Sequence, residues 1–249
     1  MRVLLLAGTT EAADLAASLV ASGVDVTASF AGRTRVQAAY PCPVRVGGFG
    51  GVDGLVRVLA DGSHDLLVDA THPFAAVMPH SAATAAAIAG VARLRLLRAP
   101  WEAEAGDNWK GVTDLSEAAA ALGAVGSERV LLATGRLGLA AFASVEGVHF
   151  VVRSIEPPDP MPLAKATVIL ARGPFGVEDE VALLRDYRID TLVTKNSGGS
   201  ATAAKLEAAR RLGCRVIMVR RPLQPLGPQV SAVADAVEWV RGHSSFDTR

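Results

Sequence analysis

The feature that most constrains this chain is a unit that recurs along most of its length. A short apolar run breaks into small, hydroxylated or charged residues, and an alanine-rich amphipathic stretch follows. The runs fall at residues 3–6, 25–30, 44–46, 65–69, 93–97, 129–133, 150–152, 168–170, 191–194 and 215–219. Helical periodicity fills 11–22, the region near 52–59, and 79–89, 178–187 and 201–212, with Gly23 and Gly213 placed as stops. Asp114 and Glu117 have the spacing of a helix-capping pair, and Gly123 closes that segment. Strands that are apolar without alternation and separated by helices predict parallel sheets, covered on both faces and linked by right-handed crossovers.

The pattern restarts after "LGAVGSE" (122–128), so two α/β halves are expected, residues 1–125 and 126–249. "EPPDPMP" (156–162) reads as a loop inside the second half. Lys+Arg and Asp+Glu number 25 each, which argues against nucleic acid or an anionic membrane surface as partner. Cys42 and Cys214 lie too far apart for a metal-binding pair, so no metal is expected and both thiols read as reduced. No apolar stretch approaches the roughly 18 residues of a membrane span. A cytoplasmic monomer acting on a small molecule is the expectation.

In open parallel sheets, ligands bind beyond the carboxyl ends of the strands. "AGTTEA" (7–12) follows the first run, where Gly8 permits close approach of a phosphate. Thr9 and Thr10 offer hydroxyls there, and Glu11 lies in the first turn of a helix whose free N–H groups attract an anion. Only the first glycine of the dinucleotide fingerprint is present, so an ordinary strand–helix turn remains the alternative. "SFAGRTR" (29–35) follows the second run, at the position that meets the adenosine ribose. No acid stands between Phe30 and Val46, but Gly32, Arg33, Thr34 and Arg35 are there, and a guanidinium selects a 2′-phosphate. The cofactor expected is NADPH. "DATHPFA" (69–75) follows the run ending at Val68: Asp69 and His72 are candidates for proton transfer, and Thr71, His72 and Pro73 for a nicotinamide wall. A lone loop histidine is more often structural.

"GTTEA", "AGRT", "DATHPFA", "TGR", "ARGPF" and "KNSGG", in that order and spacing, resemble the precorrin-6A reductase family of corrin biosynthesis, from Val3 to about Arg221. The resemblance implies an NADPH-dependent reduction of one double bond in a tetrapyrrole, precorrin-6A or its cobalt form. It implies two Rossmann-like domains with the active site in the cleft between them: the first half would bind NADP and the second the tetrapyrrole.

The implied substrate is a ring rimmed with carboxylates. Arg136, Arg172 and Lys195 each follow a predicted strand and would pair with them, while Ser197, Gly198 and Gly199 would open a helix that cradles an anion, with Asn196 beside them as a further substrate contact. Two rivals share the architecture, a methyltransferase and a non-enzymatic nucleotide-binding protein. Arg33 and Arg35 count against the first, because its cofactor carries no phosphate; the strand-end cations count against the second.

Overall fold

The computed structural model describes residues 1–31 and 40–244. The chain forms two compact units: Met1–Ala99 with Pro222–Arg249, and Pro100–Arg221.

In the first unit, β1 (Arg2–Leu6), β2 (Asp25–Phe30), β3 (Val44–Val46), β4 (Leu66–Asp69) and β5 (Ala92–Leu96) are joined by β12 (Gln229–Val230), from near the end of the chain. All pair in parallel, in the order β3-β2-β1-β4-β5-β12. The helices are α1 (Thr10–Ala21), α2 (Val52–Asp61), α3 (Met78–Ala89) and α7 (Val233–Ser244).

Alternation along the strands decides which helix packs where. Val3, Leu5, Val26, Ala28, Val68 and Leu94 face one way, onto Leu15 and Leu19 of α1 and Ala236 and Val240 of α7. Leu4, Leu6 and Leu67 face the other way, onto Leu55 and Leu59 of α2 and the alanines of α3. Alanine dominates α1 and α3, where a methyl group lets the helix axis lie close to the sheet.

The second unit repeats the order. β6 (Trp109–Val112), β7 (Arg129–Ala133), β8 (His149–Ser154), β9 (Ala166–Leu170), β10 (Thr191–Lys195) and β11 (Arg215–Val219) pair in parallel as β9-β8-β7-β10-β11-β6. Leu131, Val151, Leu192, Val216 and Met218 pack on α5 (Val177–Asp186) and α6 (Ala204–Arg211). α4 (Leu115–Ala124) precedes β7, and a 3-10 helix (Arg136–Phe142) follows it.

The expected boundary at 125/126 falls inside the second unit, between α4 and β7. It is displaced because each sheet takes its sixth strand from an unexpected part of the chain. β12 returns to pair with β5, and β6 precedes the other five strands of its sheet. Two residues of ladder in β12 and the mixed "WKGV" of β6 carry little periodic signal. The region after Arg215–Val219, where no further strand is expected from the sequence, supplies β12 and α7.

Candidate active site

The order β3-β2-β1-β4-β5-β12 reverses direction between β1 and β4, so the first unit's crevice lies beyond their carboxyl ends. Leu6 and Asp69 are register partners there, which sets "AGTTEA" beside "DATHPFA". The two breaks are joined directly: the Thr9 hydroxyl donates to the Ala70 carbonyl at 3.1 Å and accepts from the Ala12 N–H at 3.2 Å as the α1 N-cap. Thr9 is therefore committed to the protein, while Thr10 stays exposed. Gly8 has φ of +151°, in a region that side-chain-bearing residues avoid. A Cβ there would meet no atom of the chain within 4 Å. Glu11 is paired with Arg98 at 2.9 Å. Burial pushes its carboxyl pKa up, but its helix-terminal N–H and Arg98 outweigh this and hold it below the usual range.

Asp69 is fully buried and ion-paired at 2.6 Å with Arg95, its register partner on β5. The same carboxylate oxygen accepts from the Thr71 N–H at 3.0 Å and the Thr71 hydroxyl at 2.8 Å. His72 is exposed, and its Nδ1 accepts from the Phe74 N–H at 3.2 Å. The Ala75 N–H closes the turn onto the His72 carbonyl, and Pro73 is buried. "DATHPFA" is thus a braced turn with the imidazole at its surface. Gly32, Arg33, Thr34 and Arg35 lie outside the described residues.

In the second unit the order reverses between β7 and β10, which brings "TGR" beside "KNSGG" through the partners Ala133 and Thr194. Arg136 opens the 3-10 helix and pairs with Glu156 at 3.0 Å, both partly exposed. Lys195 ends β10, half-buried, and burial pushes its pKa below the ordinary lysine value. Arg172 follows the edge strand β9, two strands from β7. The loop that carries it is held by Arg153, which is buried, paired with Glu180 at 2.6 Å and stacked 4.1 Å from the Phe175 ring centroid.

"KNSGG" does not open a helix: α6 begins only at Ala204. Gly198 and Gly199 turn the chain at φ of +67° and +77°, and a ring of side chains fixes the loop instead. The Asn196 amide accepts from the Trp101 N–H at 2.8 Å and donates to the Trp101 carbonyl at 2.9 Å. The Trp101 indole donates to the Gly199 carbonyl at 2.9 Å. Arg221 donates to the Asn196 and Ser197 carbonyls. The Lys205 ammonium lies 4.4 Å from the Trp101 ring centroid. Asn196 is therefore a brace of the loop, with both ends of its amide used by the protein.

The family model for the precorrin-6x reductases (CbiJ/CobK) matches residues 2–241. The chain belongs to this family. The precorrin-6A reductase of Rhodococcus erythropolis is 48% identical, with 96% of this chain and 97% of that one covered. A solved CobK precorrin-6A reductase superposes with a TM-score of 0.92 at 44% identity, over 98% of this chain and 97% of that one. A cobalt-precorrin-6A reductase of Priestia megaterium is 31% identical, with 94% and 96% covered.

Arg95, Arg98, Trp101 and Arg221, which no motif in the sequence marks, all hold site loops. One signal was present. "ARLRL" places two arginines at alternate positions of a buried strand, a pattern that demands a buried acid opposite. The other three sit in segments without periodicity. No helix among the described residues is long and apolar enough to cross a membrane.

Proposed function

We propose that this chain uses NADPH to reduce one double bond of precorrin-6A, the cofactor lying at the switch point of the first sheet. The single observation that carries the reading is the junction of "AGTTEA" and "DATHPFA" at that switch point, in a chain of this family. The residues present fit the cofactor. No atom of the chain lies within 4 Å of where a Gly8 Cβ would stand, which leaves room for a ligand at this turn, and the positive end of α1 with the Thr10 hydroxyl suits a pyrophosphate. Arg33 and Arg35, with Gly32 and Thr34 between and beside them, supply the charge for a 2′-phosphate. Thr71, His72 and Pro73 form the wall beside the nicotinamide. When bound, NADPH supplies the hydride.

The chain's own residues then have three tasks. Glu11, neutralised by Arg98, lets an anion approach the α1 N-terminus. In the second unit, Arg136, Arg172 and Lys195 pair with the carboxylates of the macrocycle, Arg136 exchanging Glu156 for substrate. The Gly198 amide completes the anion site, because the Asn196 and Ser197 carbonyls are turned onto Arg221 and the Gly199 carbonyl onto Trp101, while the Ser197 N–H closes onto the Lys195 carbonyl. Asp69, buried against Arg95, positions Thr71 and donates no proton. The proton that completes the reduction comes from water or from His72.

The metal-free macrocycle is the favoured substrate, since the relative at 48% identity is a precorrin-6A reductase and the cobalt-precorrin enzyme stands at 31%. Anaerobic incubation with NADPH and each macrocycle form, followed spectrally, tests both statements. Oxidation of NADPH with neither form would defeat the reductase reading. Faster turnover of the cobalt form would reverse the substrate preference.

A further inference from the structure

Arg95 takes no part in the cofactor or substrate contacts proposed above, yet it is 2% exposed in the middle of a buried strand. Its Nη1 is 2.6 Å from Asp69 Oδ1, 3.3 Å from the Asp69 carbonyl and 3.0 Å from the Thr71 hydroxyl. Thr71 in turn donates both its hydroxyl and its N–H to the same Asp69 oxygen. Four hydrogen bonds and one ion pair thus converge on the first residues of the turn that ends in His72 and Pro73.

The pair is poorly satisfied otherwise. Asp69 Oδ2 and Arg95 Nε and Nη2 are buried without a hydrogen-bond partner. Burial pulls the Arg95 pKa down, against the pull of Asp69. Removing two charges from water is costly, and a buried pair with unsatisfied atoms is weak evidence for stability; apolar replacements of both partners are often neutral or stabilising. What the pair does achieve is local, since it holds Thr71 in one place.

We infer that Arg95 is a positioning residue for the reduction: acting through Asp69 and Thr71, it fixes the turn of residues 71–73 beside the reacting face of the cofactor. The inference rests on the reductase reading above. Hydride transfer is acutely sensitive to the separation of the reacting carbons, so a turn released by a fraction of an ångström costs more in rate than in affinity.

Two changes test it. Asp69→Leu with Arg95→Met removes both charges together, and Thr71→Val removes only the hydroxyl between them, at a partly exposed position. Thermal midpoint, NADPH dissociation constant and the single-turnover rate with 4-deuterated NADPH and precorrin-6A are measured for each. The double variant should unfold at or above the wild-type temperature. Both variants should slow the hydride step by about tenfold or more, a larger loss than either shows in NADPH affinity, and Thr71→Ser should restore the rate. Wild-type hydride rates in Thr71→Val and in the folded double variant would overturn the inference; if the double variant does not fold, Thr71→Val decides alone. Failure of the wild-type protein to oxidise NADPH with either macrocycle would instead defeat the reading it rests on.

Discussion

His72 shows how one hydrogen bond limits chemistry. Its Nδ1 accepts from the Phe74 N–H, so the neutral ring carries its proton on Nε2, and protonating Nδ1 as well would break that bond. A ring held this way suits a wall better than an acid. His72→Ala should therefore weaken NADPH binding and slow hydride transfer together, each by several-fold. A loss of about 10²-fold in the chemical step with normal cofactor affinity would identify His72 as the proton donor instead. Arg33→Ala should cost about 1.5–3 kcal/mol of NADPH binding and leave NADH binding unchanged, as titration of both cofactors would reveal.

Lys195 carries a pH prediction at the same scale. Burial lowers its pKa, so the folded chain binds this proton less readily than the unfolded one. The cost of burying the charge is present in full below the lowered value and is relieved as pH rises from there towards the ordinary value. A substrate carboxylate favours the cation, so the Michaelis constant for the macrocycle should rise with pH through the lowered pKa. Lys195→Met should raise that constant and remove the alkaline limb; an unchanged profile would detach Lys195 from the substrate.

Among the elements, loops carry the site and side chains from elsewhere stiffen them. Asn196 sits in the motif but spends its amide on Trp101, an aromatic residue almost a hundred positions away. Asn196→Ala should raise the Michaelis constant for the macrocycle several-fold, with NADPH affinity steady and the indole emission of Trp101 altered as its environment loosens. Steady emission with unchanged kinetics would mean that the loop holds its shape without that amide. Thr9 belongs to the same class. Thr9→Ala removes both a helix cap and the link to Ala70, and should lower the unfolding free energy in urea by about 1–2 kcal/mol.

For the whole molecule, chain order and spatial order differ. The second unit is one continuous segment, whereas the first needs residues after 221 to complete its sheet and to cover α1 with α7. A fragment of residues 100–221 should therefore unfold cooperatively on its own. A fragment of residues 1–125 should not, because it lacks α7 and β12 and ends with β6 and α4 deprived of β11. Circular dichroism melts of both would check this, and a cooperative melt of 1–125 would show that the first sheet stands without β12 and α7.

The sequence by itself determined the parallel α/β class, ten of the strands and the loops that follow them, because apolar runs and glycine stops are local signals of long reach. It placed "AGTTEA" and "DATHPFA" at strand ends, and the motif order carried the family. Only the tertiary structure decided that these loops share one switch point, that β6 and β12 complete the two sheets, and that Asn196 braces a loop while Asp69 answers Arg95. Those facts depend on strand order and on partners distant in sequence. A parallel sheet takes its order from crossovers and packing between elements, which no local run of residues encodes.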